Sequence, residues 1–274
     1  MSLVIKIKNA DFSGSGLPLL EQTVQGFPAD GLKGLYFFEE GENNTLHTGL
    51  FVDSSGNSNH GNLYLDFAPP INKNYGLEIT DTNGLVIDTG IKLTPELTVI
   101  GCFENTMTKG VEPVYETHIS DTLNIGIDHA SGNPINTPRI AVNTRVNTND
   151  FGDVGIYANN SSILDRTRSA EAGNSRMPSI YAVGVSGISG DLKARSLDGV
   201  NYNRSNADIV QAYKTDLPES NIAVGMWGQG SRKELSGKLY AFAIYDKLLT
   251  DEQFTKAITA MNQKMIERGI TVYS

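Results

Sequence analysis

The chain has 274 residues, a length that can bury one large β domain or two small ones. Charged residues make up 19% and there are 28 glycines, a composition typical of many strands joined by polar turns. The formal net charge of -9 argues against nucleic-acid binding, because a polyanion would be repelled and no lysine or arginine cluster could act locally against that balance.

Cysteine usage and targeting signals narrow the setting. The single cysteine, Cys102, cannot form an internal disulfide, and its neighbours Ile100 and Phe103 predict a buried core thiol rather than a nucleophile. The N-terminal apolar run is too short for a signal peptide, and no stretch reaches the length of a membrane span. We therefore expect a chain that is made in a cytoplasm, stays soluble and does not insert into membranes.

Residues 1–30 differ in pattern from the rest of the chain. Apolar residues alternate along residues 3–8, which predicts a short strand, and a run of turn formers follows. Two interpretations are open. The segment is either an arm that packs on a neighbouring molecule or anchors the domain to an assembly, or an edge strand of the main sheet.

Residues 31–249 are predicted to form the main domain. Gly31 to Glu39 is expected to be its first strand, and Asp53 to Gly61 a tight loop, because Gly and Asn tolerate left-handed backbone and Asp and Ser bond their own backbone. Alternating apolar pairs predict further strands, at Ile125 and Ile127, Ile140 and Val142, and Val154 and Ile156.

Ser161 to Met177 is predicted to be a loop of mixed charge. Its two arginines, Arg166 and Arg168, could bind an acidic sugar. A solvated loop is the simpler interpretation, because mixed charges on loops are ordinary.

The segment from Gly237 to Tyr245 carries the firmest structural signal. Both alternating sets of its side chains are apolar, which predicts a strand covered on both faces. Thr250 and Gln253 then form a T-x-x-Q capping box, which predicts the start of a helix. Residues 250–274 are therefore assigned to a C-terminal helix and tail.

One apolar stripe follows this helix at helical spacing. Two interpretations of the stripe are open: it packs on the main domain, or it forms an oligomer contact, since methionine adapts well to interfaces. Gly269 fits just past the helix end. The stripe consists of Phe254, Ile258, Met261 and Met265.

Several motifs occur in an order that resembles laminin-G-like domains. The loop from Asp53 to Gly61 is similar to the D-x-S-G-N-x-N-H-G turn after the first strand of that family, and Leu93 to Val99 is similar to its Leu-Thr-Pro passage. Leu197 to Gly199 resembles its L-x-x-D-G turn, and residues 237–254 resemble the end of the domain. Expected tryptophans are absent, and Cys102 and Phe103 occupy one such place.

The resemblance spans roughly residues 31–254 and implies an all-β, two-sheet antiparallel jelly-roll sandwich of the concanavalin A-like type. With the flanking segments, we predict an N-terminal arm (1–30), the jelly roll (31–249) and a C-terminal helix and tail (250–274). Residues 1–30 themselves resemble the N-terminal anchors of some bacteriophage tail and virion proteins.

Catalytic motifs are absent from the sequence. It has no H-E-x-x-H, Walker loop, G-x-S-x-G or kinase set, and it lacks the E-x-D-x-E strand of the glucanases in the concanavalin A-like group. We therefore predict a non-enzymatic module. A polysaccharide-degrading enzyme is the alternative, because two carboxylates distant in sequence could still meet in a cleft.

Candidate binding residues follow from residue types that suit sugars and calcium. Sugar rings stack on aromatic faces while amides bond hydroxyls, which favours Trp227 with Gln229, and also Tyr202, Tyr213 and the loop residue Asn59. Trp227 could equally belong to the core. Calcium prefers carboxylate and amide oxygens, and Asp53 and Asn57 offer these, although Asp53 could simply cap its turn.

These observations combine into one functional hypothesis with two alternatives. The chain is expected to be a recognition module of a phage or prophage virion that binds cell-surface carbohydrate, contacts other virion proteins and forms a homo-oligomer. A purely structural virion component without a glycan site is one alternative, and the enzyme is the other. The expected location is the virion or the cytoplasm of the producing bacterium.

Overall fold

The computed structural model describes residues 26–64, 68–79, 84–92, 94–105, 114–120, 140–146, 152–158, 161–167, 177–199, 201–205, 221–228 and 237–274. The predicted arm lies outside the described residues except for 26–30. Within the described residues there are sixteen strands and one helix, α1 (Asp251–Glu267). The strands are β1 (Leu32–Tyr36), β2 (Thr45–Leu46), β3 (Asn62–Leu63), β4 (Ile71–Asn72), β5 (Leu77–Glu78), β6 (Gly84–Lys92), β7 (Glu96–Asn105), β8 (Val114–Ser120), β9 (Ile140–Val146), β10 (Gly152–Ala158), β11 (Ser161–Thr167), β12 (Ser179–Ser186), β13 (Asp191–Ser196), β14 (Asn201–Ser205), β15 (Asn221–Gly228) and β16 (Gly237–Tyr245).

The strands form two antiparallel sheets. The first sheet has the order β14-β13-β12-β7-β16-β5-β4-β2, and β1 also pairs with β16. The second sheet has the order β11-β10-β9-β8-β15-β6-β3. Consecutive strands lie in different sheets at eight points along the chain: β2–β3, β3–β4, β5–β6, β6–β7, β7–β8, β11–β12, β14–β15 and β15–β16. The predicted all-β, two-sheet antiparallel sandwich with a C-terminal helix is therefore confirmed.

Strand β16 lies inside the first sheet and is covered on both faces, as its sequence predicts. One face packs between the two sheets through Leu239, Phe242 and Ile244, against β6 and β15 residues such as Ile87 and Val224. The other face lies under helix α1. A β-bulge after Leu239 moves this residue onto the same face as Phe242, so the simple alternation expected along β16 is interrupted there.

Helix α1 begins at the predicted capping box. The backbone N–H of Gln253 donates to the Thr250 hydroxyl at 3.3 Å, and the backbone N–H of Thr250 donates to the side-chain oxygen of Gln253 at 2.9 Å. The whole predicted stripe is buried against β7, β12 and β16. Burying each such side chain contributes roughly 1.5–3 kcal/mol. The stripe thus packs on its own domain, and Gly269 follows with a positive φ of 71°.

The strand predictions in the middle of the chain have mixed outcomes. Strands β9 and β10 confirm two of the three alternating pairs, whereas residues 125 and 127 lie outside the described residues. The predicted loop from Ser161 to Met177 is wrong in its first part, because β11 occupies Ser161–Thr167. Its partner β10 supplies the reason: Ala158 pairs with Ser161, and the intervening Asn159 and Asn160 are of the type that favours short hairpin connections.

Two further expectations concern the core and the membrane. Cys102 is a fully buried free thiol on the helix-covered face of the first sheet, and burial raises the pKa of this thiol far above its ordinary value. Among the described residues, no helix is both long enough and apolar enough to cross a membrane.

Candidate functional site

The loop between β2 and β3 is organised by the carboxylate of Asp53. Its Oδ1 accepts hydrogen bonds from the backbone N–H groups of Leu35 (2.9 Å) and Ser55 (2.8 Å). Its Oδ2 accepts from the Ser55 hydroxyl (2.8 Å) and the Asn59 N–H (3.0 Å). Asn57 points its amide at the carbonyl of Leu32 at 2.8 Å. The sequence predicted this tight loop, and Asp53 stabilises it as a turn-capping residue.

This arrangement bears on the calcium hypothesis for Asp53 and Asn57. A cation at Asp53 would have to replace four protein donors, and the Asn57 amide faces β1 through its donor nitrogen. In the described part of the chain, no three His, Cys, Asp or Glu side chains are grouped so that they could hold a metal ion. Calcium binding stays a prediction.

The predicted sugar-binding residues lie in separate places. Trp227 belongs to β15, where its backbone pairs with Gly84 of β6 and Thr117 of β8. Tyr202 lies on β14 at the edge of the first sheet and is half-buried against the core between the sheets. Asn59 donates its amide to the carbonyl of Lys33 at 2.7 Å. Gln229, Tyr213 and Arg168 lie outside the described residues, and Arg166 is in β11.

A pocket of about 280 Å³ lies elsewhere, at the β2–β4 end of the first sheet. Two segments form it: the chain that leaves β1, and the turn that joins β4 to β5. We call it the Tyr75 pocket. Its lining residues are Phe38, Glu39, Glu40, Gly41, Asn43, Asn72, Lys73, Asn74 and Tyr75.

Left-handed backbone conformations are concentrated around the Tyr75 pocket. Five described residues other than glycine have a positive φ, and three of these line the pocket, namely Phe38 (48°), Asn74 (50°) and Tyr75 (62°). A left-handed backbone is unfavourable for bulky residues and persists only where the surroundings hold it in place. Asn74 and Tyr75 are the two central residues of the tight turn between β4 and β5, where Lys73 and Gly76 exchange both backbone hydrogen bonds, and this turn type requires a positive φ at both positions. The turn therefore fixes the position of Tyr75 at the pocket.

An arginine from the end of helix α1 holds the rim in place. The Arg268 guanidinium lies 5.0 Å from the ring centre of Phe37 and 5.6 Å from that of Tyr75, within cation–π range of both. It also donates to Glu39 Oε1 at 2.5 Å, and Lys264 lies 3.1 Å from the same oxygen. The Arg268 side chain is only 4% exposed, whereas Tyr75 is 54% exposed. A buried cation thus supports an exposed aromatic ring.

The two adjacent carboxylates of the pocket have opposite electrostatic environments. Partial burial opposes ionisation of Glu39, but hydrogen bonds from Arg268 and Lys264 outweigh it and lower the pKa of this carboxyl. Burial raises the pKa of Glu40, and the neighbouring Glu39 charge adds to the rise. The Oε2 atom of Glu40 is buried and has no hydrogen-bond partner.

A buried histidine supports the pocket wall from behind. His47 Nδ1 lies 2.9 Å from the side-chain oxygen of Asn72, and the His47 ring stacks on Phe51 with 4.4 Å between ring centres. Because that oxygen only accepts, Nδ1 is the donor. Gly41 completes the wall: a Cβ at this position would lie 2.2 Å from the Asn72 amide nitrogen. The wall is therefore built to fit its own side chains closely.

Sequence reasoning did not identify the Tyr75 pocket. A signal was available in the run Asn72 to Gly76, where turn formers surround a tyrosine. An aromatic residue inside an exposed polar turn is a candidate for surface recognition.

Comparison with known proteins supports the fold. No protein-family model matches the chain, and no curated protein sequence does. Among solved structures, a mutant Trypanosoma rangeli sialidase displaying trans-sialidase activity matches with a TM-score of 0.52 at 10% identity, over 87% of this chain and 34% of that chain. A structure of botulinum neurotoxin type C matches with a TM-score of 0.52 at 11% identity, over 85% of this chain and 51% of that chain. Cell entry of that toxin is described as dependent on interaction with two ganglioside molecules. The structure of the HCR/D W1238A mutant matches with a TM-score of 0.52 at 11% identity, over 86% of this chain and 52% of that chain.

These likenesses define the class of fold and nothing finer. The chain shares a two-sheet antiparallel β-sandwich with these proteins. It spans about a third of the sialidase chain and about half of each of the other two chains, and at this level of identity the activities of those proteins do not transfer. The narrower laminin-G-like resemblance stays a prediction.

Proposed function

We propose that this chain is a non-enzymatic carbohydrate-binding module whose site is the Tyr75 pocket. The observation that carries the proposal is the exposed Tyr75 ring, held over Arg268 at the rim of a 280 Å³ pocket. Sugar sites typically combine one aromatic platform with a few polar groups that bond hydroxyls. Asn43 and Asn74 supply such groups beside Tyr75.

The amides at the rim are suited to exchange their present partners for a ligand. Asn43 donates to the Asn74 side chain over a long 3.4 Å, and it accepts from the Asn74 N–H at 3.0 Å, in an exposed position. An exposed neutral hydrogen bond adds little stability, so a sugar hydroxyl can replace it at small cost. The fold is compatible with such a role, since one matching protein is described as interacting with gangliosides.

Hydrolysis is a second candidate function, favoured by a specific observation. The pocket holds two carboxylates whose pKa values are shifted in opposite directions, the pattern expected of an acid and its partner in a glycosidase. Against it, the unpartnered Glu40 oxygen is inaccessible, and Glu39 is bound to two cations. A general acid must reach the leaving-group oxygen, and the buried Oε2 atom of Glu40 does not do so in this arrangement. Binding without turnover is therefore the function we favour.

A glycan array probed with the full chain tests the proposal. The saccharide that binds best is then titrated by calorimetry against wild type, Tyr75→Ala and Ile188→Ala. Ile188 is the matched control: it is 72% exposed but lies in the turn between β12 and β13, on the far side of the first sheet. We expect Tyr75→Ala to weaken binding at least tenfold, about 1.4 kcal/mol, and Ile188→Ala to leave it unchanged.

Three outcomes of that experiment weigh against the proposal. Binding to no saccharide, or equal binding by Tyr75→Ala and wild type, would remove the assigned site. Release of reducing sugar that stops in Glu40→Gln would establish the hydrolytic alternative instead.

We further propose that binding takes place on a phage or prophage virion. This setting comes from the resemblance of residues 1–30 to virion anchors. Residues 1–25 of this segment lie outside the described residues. Analytical ultracentrifugation of the full chain tests it. A trimer or larger assembly is expected. A monomer at micromolar concentration would contradict the predicted homo-oligomer and remove the main support for the setting.

A further inference from the structure

The charges around the Tyr75 pocket indicate which sugars it would accept. Three cations lie beside it in the described part of the chain, and each is already bound to a carboxylate. Lys73 is 2.8 Å from Glu78, and Lys264 and Arg268 share one oxygen of Glu39, at 3.1 and 2.5 Å. The pocket therefore has cations but none that lacks an anionic partner.

The third carboxylate in this region, that of Glu40, has no such cationic partner. Glu40 lines the pocket, and its Oε2 is buried without a hydrogen bond. An acidic sugar would bring its own carboxylate next to Glu39 and Glu40 and would find no uncommitted cation. Like charges at close range repel each other, so such a ligand is disfavoured.

The remaining polar groups suit neutral hydroxyls. Asn43 and Asn74 each offer a neutral donor and acceptor at the rim. Glu39 is 46% exposed, and its Oε2 can accept a hydroxyl hydrogen bond while Oε1 holds the cations. Neutral amides and a carboxylate beside an aromatic ring can bind a pyranose that has hydroxyls and no charge of its own.

We infer that the Tyr75 pocket selects neutral pyranoses and rejects sugars that carry a carboxylate, such as sialic and uronic acids. This inference rests on the proposed glycan-binding function and adds the class of ligand. Glu39 acts as the specificity-determining residue, because it holds Lys264 and Arg268 and so keeps them from an acidic ligand.

The test uses the full chain on an array that pairs each neutral oligosaccharide with its sialylated or uronic-acid counterpart, followed by calorimetry. Wild type is expected to bind neutral members at least tenfold more tightly than their acidic counterparts. Glu39→Gln frees the two cations and is expected to reduce the ratio of neutral to acidic affinity at least threefold. Glu252→Gln is the matched control, because this substitution removes the same charge at the other end of helix α1, about 24 Å from Arg268. Glu252 pairs there with Lys256.

The outcomes separate this inference from the function on which it rests. Equal or tighter binding of acidic members, lost in Tyr75→Ala, would overturn the inference and leave the glycan site intact. A ratio unchanged by Glu39→Gln, or changed equally by Glu252→Gln, would overturn the role of Glu39. Binding to no member of the array would refute the proposed function itself.

Discussion

Removing the Asp53 carboxylate should destabilise the fold more than its position on a loop suggests. In Asp53→Ala the buried N–H of Leu35 is left without an acceptor, which costs about 2 kcal/mol. The N–H groups of Ser55 and Asn59 are half-buried and can recruit water, so each loses only about 1 kcal/mol. The expected loss in the free energy of unfolding is therefore about 4 kcal/mol, which lowers the melting temperature by roughly 8–16 °C.

Two variants calibrate this prediction in thermal melts followed by circular dichroism. Asp53→Asn keeps one oxygen for Leu35 and Ser55 but turns an NH₂ group toward the donors of Ser55 and Asn59, so about half the loss is expected. Asp191→Ala also removes a carboxylate that accepts hydrogen bonds, here from the hydroxyls of Ser189 and Ser205, but Asp191 lies on an exposed hairpin. Its expected cost is below about 1 kcal/mol. A loss in Asp53→Ala no larger than in Asp191→Ala would refute the reasoning.

The same melts decide between the two interpretations of the loop. If Asp53 only caps the turn, millimolar calcium and EDTA give wild type the same melting temperature. If Asp53 and Asn57 bind calcium, the ion stabilises wild type by mass action and leaves Asp53→Ala unaffected.

Four further predictions follow from single residues. Thr250→Ala removes the helix cap and should lower the free energy of unfolding by about 1 kcal/mol. Gly225→Ala should prevent folding, because a Cβ there would lie 2.1 Å from a backbone carbonyl oxygen of β6. The thiol of Cys102 should react with a thiol reagent only on unfolding, because it is fully buried and its pKa is raised. Glu40→Gln should raise the melting temperature at pH 7, because burial raises the pKa of Glu40 above 4.5 and disfavours its charged form.

A contradicting result or a control variant is defined for three of these predictions. A capping loss below about 0.3 kcal/mol in Thr250→Ala would show that the helix is held by packing alone. Gly56→Ala is the control for Gly225→Ala: it also has a positive φ, but nothing lies within 4 Å, so it should fold with a loss of about 1 kcal/mol. For Glu40 the folded protein binds the proton more tightly, so stability falls as pH rises above 4.5, and the gain from Glu40→Gln should vanish near pH 4. A gain that persists at pH 4 would contradict this cause.

The parts of the fold that could be predicted are those written in local patterns. Helix α1 and its cap depend on residues within one turn of each other, and the two apolar faces of β16 depend on residues within one strand. The loop capped by Asp53 also lies within nine residues. Strand β11 was missed because its polar sequence gives little alternation, and its place in the sheet is fixed by pairing with β10.

The Tyr75 pocket could not be predicted in the same way. Its two segments are about thirty residues apart in the sequence, and the strands that bring them together, β2, β4 and β5, have two residues each. Strands that short have no readable period. The contact that supports this pocket joins residues even further apart in the sequence, because Arg268 follows helix α1 and is 229 positions away from its partner Glu39.

A crystal structure of the full chain with the best-binding saccharide from the array tests the assigned sugar site. We expect the sugar ring to lie on the exposed face of Tyr75, with its hydroxyls within hydrogen-bond distance of Asn43, Asn74 or Glu39. A ring that lies instead on Trp227 or Tyr202, with the Tyr75 pocket empty, would contradict the assigned site and favour the residues expected from the sequence.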